Sequence, residues 1–347
     1  MMLTNRQLLI LQSIIQLYTE TLEPVGSKKL MQQTGLAVSS ATIRNEMMKL
    51  EEMGYLEKNH SSSGRVPSNQ GYRYYLDNIL PVQNSPVSLS IRNQIRETFQ
   101  QSTMEIQDVF KVSADILSTL TNYTTISIGP EVRSATLSGF QLVRLGLNQV
   151  MAILVMSNGL VENKVYSIPS AIDDSDLDKV VRIINEELIG LPLETVLQRL
   201  KSDLPALMNR YMNSQIQIVK VIQDMMNQFE QDRLHVAGRR YLLNYFDSHA
   251  NVHHLKEIYR LMDDQSKMHE LVMPSNRDIQ IRLGSEMDDP LLGEFSIITA
   301  SYETPKHDKG IIALLGPKNM PYSNVLSIVK GLQEELTTTM EQYYRNL

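Results

Sequence analysis

The sequence predicts a multidomain α+β protein that begins with a winged helix-turn-helix module. Three observations support this fold class. The chain has 347 residues, more than one ordinary domain holds, and 42% of them are hydrophobic, as in folded globular proteins. Residues 1–76 contain three short helical patterns and then a β-hairpin pattern. Farther along, strand patterns lie on both sides of a mainly helical block, which indicates an α+β domain with an insertion.

The first two predicted helices lie before residue 35. Thr4 and Gln7 have the spacing of a capping box, which favours a helix that ends near Thr21. Residues 24–27 have turn-forming composition and precede a second short helix over residues 28–33. Two helices joined by a turn are the first part of a helix-turn-helix motif.

The third predicted helix runs from Ser39 to Glu52, with Ser39 or Ser40 as its N-cap. Ile43, Met47 and Leu50 form one apolar stripe at helical spacing. This stripe predicts a helix that buries one face and exposes the other.

A β-hairpin pattern follows the third helix. A short strand over residues 55–58 leads into a polar turn over residues 59–64, and the chain returns through residues 65–67. A hairpin in this position is typical of the wing in a winged helix, so we interpret residues 1–76 as a DNA-recognition module.

In such a module the third helix enters the major groove, and its N-terminal part contacts base edges. Hydroxyl, guanidinium and amide groups can discriminate between bases there, which predicts five base-contacting residues: Ser39, Ser40, Thr42, Arg44 and Asn45. We expect phosphate or minor-groove contacts from the nearby basic side chains, namely Lys28, Lys49, Lys58, His60 and Arg65. In the alternative interpretation the module binds protein, and Arg44 and Lys49 pair with Glu46 or Glu52 on a solvated face.

The charge distribution favours DNA binding through one face. The net charge of −6 argues against a protein that coats nucleic acid, but residues 1–75 carry eight Lys and Arg against six Asp and Glu. The chain has no cysteine, which excludes disulfides and suits a reducing compartment. Its longest apolar run, residues 150–156, is much shorter than the roughly 20 residues of a membrane-spanning helix. We therefore expect a cytoplasmic protein with no signal peptide and no membrane partner.

No catalytic or cofactor motif stands out, so we expect no enzyme activity, no metal and no cofactor. His249 and His253 would share a helix face, but the sequence has no HExxH pattern, and Asp247 is the only close acid; we interpret these residues and His254 as polar surface histidines. The glycines have no nucleotide-loop spacing. The apolar segment over residues 310–317 could line a ligand pocket, although a core strand is the simpler interpretation.

The rest of the chain alternates between helical and strand patterns. Residues 77–90 have the composition of a linker. The predicted helices cover residues 91–120, 173–188, 193–200, 205–229, 250–272 and 322–344. The predicted strands cover residues 123–128, 135–145, 150–156, 160–168, 279–283, 295–301 and 310–315. The helix over residues 205–229 carries a methionine-rich stripe, which is either buried or a surface for self-association.

Several segments resemble HrcA-type heat-inducible transcription repressors. The long segment is SSATIRNEMMKLEEMGYLEKNHSSSGRVPSNQGYRYYLD, and LTNRQLLIL and EPVGSKKL precede it. Near the C-terminus, IRLGSEM, SIITASYE and GIIALLGPKNMPYSNVLSIV are similar to further blocks of that family. The resemblance implies a winged helix-turn-helix domain, a GAF-like α+β domain and an inserted, mainly helical dimerisation domain. The expected bounds are 1–76 for the DNA-binding domain, 77–90 for a linker, 91–170 with 266–347 for the GAF-like domain, and 171–265 for the insertion.

The resemblance also implies a function and partners. It implies a repressor of heat-shock (chaperone) operons that binds double-stranded DNA as a homodimer, at an inverted-repeat operator. It further implies that a GroEL-type chaperonin keeps the repressor active and that heat stress removes this activity. Two alternatives stay open. The first is a metabolite-responsive winged-helix regulator with a small molecule in the α+β domain, and the second is an enzyme or chaperone-associated factor whose winged helix binds protein.

Overall fold

A computed structural model gives the fold over most of the chain. The description covers residues 3–35, 38–58, 64–80, 87–100, 106–130, 135–157, 159, 161–170, 172–202, 234–245, 252–273, 278–305 and 309–345. Three expectations lie outside these residues: the wing-tip residue His60, the methionine-rich helix over residues 205–229, and His249.

The N-terminal module has the predicted order of helices and strands. Its elements are α1 (Asn5–Thr21), α2 (Ser27–Thr34), α3 (Ser40–Glu52), β1 (Leu56–Lys58), β2 (Arg65–Pro67) and α4 (Asn69–Tyr74). Strands β1 and β2 pair antiparallel and form the wing. A π-helical turn, Tyr75–Ile79, continues α4. The winged helix predicted from the helix and hairpin patterns is therefore confirmed.

Local side chains account for the ends of α1 and α2. Thr4 Oγ1 accepts a hydrogen bond from the Gln7 N–H at 3.3 Å, and Gln7 Oε1 accepts one from the Thr4 N–H at 3.0 Å. The predicted capping box is thus formed and satisfies two backbone donors. Helix α2 ends at Gly35, whose φ of 61° lies in the left-handed region that glycine adopts without a steric cost.

The other strands form two separate antiparallel sheets. They are β3 (Thr124–Ile128), β4 (Leu137–Gly146), β5 (Gln149–Met156), β6 (Val161–Ser167), β7 (Leu234–Ala237), β8 (Ile279–Leu283), β9 (Phe295–Glu303) and β10 (Lys309–Pro317). One sheet has five strands in the order β7-β3-β10-β9-β8, and the other has three in the order β4-β5-β6. This mixed helix and sheet content agrees with the predicted α+β class.

Seven α-helices of the described residues accompany these sheets. They are α5 (Leu89–Gln100), α6 (Ile106–Thr121), α7 (Asp174–Leu188), α8 (Leu193–Ser202), α9 (Val252–Asp263), α10 (Gln265–Val272) and α11 (Tyr322–Arg345). The single helix predicted over residues 250–272 is wrong, because α9 and α10 are separate. Asp264 caps α10 by accepting from the Lys267 N–H at 3.1 Å, so this residue starts a new helix.

Helices cover both faces of the five-stranded sheet. On one face, Ile312 and Leu314 of β10 belong to the same apolar cluster as Leu326 and Leu332 of α11. On the other face, residues of β3, β9 and β10 pack with α9 and α10: Ile126, Ile297, Ala313, Ile258, Met262 and Met268. The segment over residues 310–317 is thus a central strand with apolar neighbours on both sides, as its simpler interpretation predicted.

The two sheets divide the chain differently from the expected domain bounds. The expected GAF-like domain contained residues 135–168, but β4, β5 and β6 form their own sheet. This sheet packs against α7, where the Asn185 side-chain amide makes two 3.0 Å hydrogen bonds to the Phe140 backbone. Conversely, β7 belonged to the expected insertion, yet it pairs with β3 in the five-stranded sheet. Strand patterns are local, whereas membership of a sheet depends on pairing between distant segments.

The expected linker is partly helical. Residues 77–79 belong to the π-helical turn after α4, and α5 already begins at Leu89. None of the helices in the described part of the chain combines the length and the hydrophobicity that crossing a lipid bilayer requires.

Candidate nucleic-acid interface

Helix α3 has a buried face and an exposed face, as its sequence predicted. Ile43 and Leu50 are fully buried, and Met47 is nearly so. Arg44 and Asn45 are exposed near the N-terminal end of the helix. The apolar stripe anchors α3 in the core of the module, so the two side chains best suited to base discrimination extend from the protein surface.

The three hydroxyl groups predicted to contact bases take part in local hydrogen bonds. Ser39 is the N-cap of α3, and its Oγ accepts from the Thr42 N–H at 3.2 Å and lies 2.9 Å from Thr42 Oγ1. Ser40 Oγ lies 3.0 Å from Ser27 Oγ, which joins the N-terminal ends of α3 and α2. These residues position the helix in the DNA-free protein, while Arg44 and Asn45 present the exposed polar groups.

A polar network connects α3 with α1. Gln7 Nε2 donates to Glu46 Oε2 at 3.1 Å, and Lys49 Nζ lies 3.2 Å from Glu46 Oε1. The pairing of Lys49 with Glu46, considered in the alternative interpretation, is therefore formed. The Lys49 side chain nevertheless remains 58% exposed, so this cation still faces solvent.

Arg65 differs from the other predicted DNA-contacting residues because it turns toward the protein. Its Nε and one terminal guanidinium nitrogen both lie 2.7 Å from Glu51 Oε2, and only 14% of the side chain is exposed. Its backbone pairs with Val25 through hydrogen bonds of 2.9 and 3.0 Å. Arg65 thus attaches β2 to α3 and to the segment before α2. This geometry disfavours the expected phosphate contact, because the Arg65 guanidinium already pairs with the carboxylate of Glu51.

Two further predicted cations lie at the surface of the module. Lys28 in the first turn of α2 and Lys58 at the end of β1 are both exposed. The neighbouring Lys29 instead makes an ion pair with Glu23 at 3.1 Å. The described part of the interface thus combines Arg44 and Asn45 with the exposed amines of Lys28, Lys49 and Lys58.

No sequence motif indicated how the module contacts the rest of the chain. Tyr72 is fully buried in α4, and its ring lies 6.4 Å from the ring of Tyr322 at the start of α11. Burial raises the pKa of both hydroxyls above the ordinary tyrosine value, and the neighbouring Tyr322 raises the pKa of Tyr72 further. Arg73, the next residue, makes an ion pair with Glu286. A sequence motif could not have indicated either contact, because each joins residues more than 200 positions apart.

The histidines of α9 do not form a metal site with other described residues. His254 Nε2 lies 3.0 Å from the Leu291 carbonyl oxygen, and exposed His253 lies 4.0 Å from Glu257. Among the residues that the structure describes, no group of three or more His, Cys, Asp or Glu side chains could hold a metal ion.

Two family models match most of the chain. Residues 2–77 match the winged helix-turn-helix transcription repressor, HrcA DNA-binding, and residues 107–326 match the HrcA protein C-terminal domain. The chain belongs to the HrcA family. This confirms the resemblance that the N-terminal and C-terminal motifs indicated.

Full-length relatives support the HrcA assignment. A protein of Enterococcus faecalis is 44% identical over 349 residues, covering 100% of this chain and 99% of that protein. A protein of Pediococcus pentosaceus is 41% identical over 348 residues, with the same coverage. Both are named heat-inducible transcription repressor HrcA. A hypothetical protein solved by crystallography at 2.2 Å has a TM-score of 0.70 and 21% identity, and the match covers 98% of this chain and 99% of that one; it supports the fold alone.

Proposed function

We propose that this HrcA-family chain is a sequence-specific transcriptional repressor of heat-shock (chaperone) operons. The observation that carries the proposal is the exposed pair Arg44 and Asn45 on α3, in a module that matches the HrcA DNA-binding family. A guanidinium pairs bidentately with guanine and a side-chain amide pairs with adenine, and these are the contacts that best distinguish bases. A protein of this function acts on DNA and needs no catalytic site, and we keep the cytoplasm as its expected location.

In this proposal the other interface residues contact phosphates or hold α3 and the wing in place. Lys28, Lys49 and Lys58 contact phosphates, which supplies affinity and salt dependence but little base preference. His60 stays a proposed wing contact. Ser39, Ser40 and Thr42 hold the N-terminal end of α3 and become available to bases or phosphates through their hydroxyl oxygens. We assign Arg65 the attachment of the wing in place of a phosphate contact.

The repressor acts as a homodimer on an inverted repeat. One winged helix contacts a short half-site, and two modules related by a twofold axis double the number of contacts. The three-stranded sheet supports this part of the proposal. One of its faces packs on α7, whereas Val143, Met151 and Val165 form an apolar row across β4, β5 and β6 on the other face. Val143 is 39% exposed and Val165 48% exposed, which makes this row a candidate surface for the second copy.

The sheet order suggests new bounds for the inserted dimerisation domain. We infer that the insertion runs from about residue 135 to about residue 233, which includes β4–β6, α7 and α8. The GAF-like domain then consists of α5, α6 and β3 together with residues 234–345, so that all five strands of the larger sheet belong to it. GAF-like is the class that the family resemblance implies.

Activity depends on a GroEL-type chaperonin in the proposed mechanism. The chaperonin keeps the repressor folded, and unfolded proteins occupy the chaperonin under heat stress. Folded repressor then declines and the chaperone genes are transcribed. Such regulation requires marginal stability, because a loss of about 1–2 kcal/mol changes the folded-to-unfolded ratio by a factor of roughly 5–30.

The described residues give no specific observation in favour of the main alternative, a ligand-responsive regulator. The strand considered as a pocket wall is β10, and it is the central strand of its sheet with apolar neighbours on both faces. The third hypothesis, in which the winged helix binds protein, would be favoured by DNA binding without base preference.

DNA selection on the purified full-length protein tests the proposal. The expected product is an inverted repeat, bound more strongly after incubation with a purified GroEL-type chaperonin. Recovery of random sequence would contradict the proposed base recognition, and recovery of single half-sites would contradict the dimer. Equal binding with and without the chaperonin would remove it from the mechanism while leaving the DNA assignment in place.

A further inference from the structure

Arg73 connects the DNA-binding module to the edge of the five-stranded sheet. Its Nε lies 2.7 Å from Glu286 Oε1, and one terminal nitrogen lies 2.5 Å from Glu286 Oε2, so the two side chains form a bidentate pair. The same terminal nitrogen donates to the Ile281 carbonyl oxygen of β8 at 2.9 Å. The other terminal nitrogen lies 3.3 Å from Asp77 Oδ1 within the module. Every nitrogen of the guanidinium therefore has a partner.

Glu286 belongs to the part of the chain that follows the module, from α5 to α11, which we call the body, and its side chain is held in place there. Its Oε2 accepts from the Leu283 N–H at 2.9 Å and closes the short 3-10 turn Gly284–Glu286 after β8. A Cβ at Gly284 would lie 2.3 Å from the carbonyl oxygens of Leu292 and Gly293, so the turn packs closely against the next segment. The Glu286 carboxylate is thus held at the edge of the sheet by contacts that do not involve Arg73.

A second contact, between Tyr72 and Tyr322, fixes the module beside this pair. Tyr322 is buried and its hydroxyl donates to the Lys318 carbonyl oxygen at 2.8 Å, so it cannot easily move. Tyr72 and Leu76 of the module belong to the same continuous apolar cluster as Leu326 and Leu332 of α11. One polar and one apolar contact, at neighbouring residues of α4, determine the orientation of the module on the body as well as its position.

We propose that Arg73 and Glu286 are positioning residues that set the spacing between the two half-sites of the operator. The inference rests on the proposed function, since it requires a dimer with two modules on one DNA. When each module has one orientation on its body, the two α3 helices have one separation, and only one spacer length fits both. Without the pair, the apolar contact around Tyr72 and Leu76 still holds the module on the rest of the chain, but the module can rotate about this contact, so several spacers become acceptable.

The test compares DNA probes that carry one half-site with probes that carry the selected inverted repeat and spacers changed one base pair at a time. The proteins are the full-length chain, Arg73→Lys, Glu286→Gln and the charge-swapped double variant Arg73→Glu with Glu286→Arg. Glu303→Gln is the matched control, because Glu303 pairs with Lys309 at 3.2 Å within one sheet and away from the module.

For the unsubstituted chain we expect one spacer to bind at least about tenfold more tightly than its neighbours. Arg73→Lys and Glu286→Gln should remove most of this preference, since an ammonium or an amide cannot form the bidentate ion pair. Binding to the single half-site should stay within about twofold, because α3 is unchanged. The charge swap should restore only part of the preference, because a carboxylate at position 73 lies near Asp77 and the Ile281 carbonyl oxygen, whereas Glu303→Gln should keep all of it.

Two results would overturn the inference. The first is an unchanged spacer profile in both single variants, and the second is an equal loss of half-site binding, which would assign Arg73 to the fold of the module. Failure of the proposed function has a different signature. In that case the unsubstituted chain itself binds the inverted repeat no better than a single half-site.

Discussion

Arg65 of the wing and Glu51 of α3, the proposed recognition helix, form an ion pair in which two guanidinium nitrogens lie 2.7 Å from one carboxylate oxygen. The pair joins β2 to the last turn of α3. The wing therefore has a defined angle to the recognition helix before DNA is present, and this reduces the conformational entropy that binding must remove.

Disrupting the Arg65–Glu51 pair should weaken both folding and DNA binding. For Glu51→Gln we expect a loss of about 1.5–3 kcal/mol in the free energy of unfolding, because hydrogen bonds to charged, largely covered groups fall in this range. Operator affinity should fall by more than the decrease in the folded fraction of the protein explains. Denaturant titration and gel shifts measure the two effects.

Glu23→Gln is the control, since the Lys29–Glu23 pair is at the surface and should contribute at most about 1 kcal/mol. Equal effects of the two substitutions would contradict the attachment role.

Arg44 should control base preference. Arg44→Ala is expected to cost about 1–3 kcal/mol of operator binding and to relax preference at one position of the half-site. Lys28→Ala should weaken binding to all sequences alike and reduce the salt slope by about one unit. Gel-shift titration over a panel of single-base operator variants, at several salt concentrations, separates these effects. An Arg44→Ala protein with normal operator binding would show that α3 does not recognise bases as we propose.

Ser39 offers a way to separate helix stability from DNA contact. Ser39→Ala removes the N-cap of α3 and should cost about 0.5–2 kcal/mol of stability. Ser39→Asp keeps an N-cap acceptor, so stability should be retained, but its carboxylate repels phosphate and should lower DNA affinity. Thermal unfolding and gel shifts on both variants provide the comparison. Tight operator binding by the Ser39→Asp protein would place this end of α3 away from DNA.

The outer face of the three-stranded sheet should mediate dimerisation. Val143→Asp and Val165→Asp introduce charge into the apolar row across β4, β5 and β6, and we expect both to give monomers by sedimentation. Leu243→Asp is the control, because Leu243 is 51% exposed and lies outside this sheet. Monomers should also lose preference for the inverted repeat over a single half-site. Dimers of both valine variants would show that another surface joins the two copies.

Alkaline pH should destabilise the contact between the module and the body. Burial raises the pKa of the Tyr72 and Tyr322 hydroxyls in the folded protein above the value of about 10 in the unfolded chain. For a tyrosine shifted upward, the neutral form is favoured by folding, so its contribution is present below about pH 10 and is lost as the pH rises beyond that value.

Tyr72→Phe tests this dependence. Among the described residues the Tyr72 hydroxyl is buried without a hydrogen-bond partner, so its removal should leave stability at neutral pH unchanged or about 1 kcal/mol higher. Denaturant midpoints between about pH 8 and pH 11 should then decline less steeply than in the unsubstituted chain. Tyr241→Phe, at a partly exposed position, is the matched control. Identical pH profiles for all three proteins would remove Tyr72 from the alkaline response.

The sequence was most informative where structure depends on near neighbours. Thr4 with Gln7 predicted the start of α1, and the stripe of Ile43, Met47 and Leu50 predicted which face of α3 is buried, because both signals lie within one or two helical turns. The family motifs added the identity of the module. These signals were sufficient for the winged helix and for the exposed position of Arg44 and Asn45.

Distant pairing could not be predicted in the same way. The partner of Arg65 lies 14 residues earlier and that of Arg73 lies 213 residues later, and many other acids were equally available to each. For the same reason the strand patterns did not indicate that β7 pairs with β3 or that β4–β6 stand apart. The burial and exposure of residues on α3 were therefore easier to predict than the contacts between the module and the rest of the chain.

The burial of Tyr72 against Tyr322 also has a consequence for temperature response. Because one apolar core extends from α3 through α4 to α11, we expect the DNA-binding module and the body to melt together in a single cooperative transition. Because the core is shared, unfolding anywhere along it extends to α3, so we expect DNA binding to be lost over the same temperature range in which the whole chain unfolds.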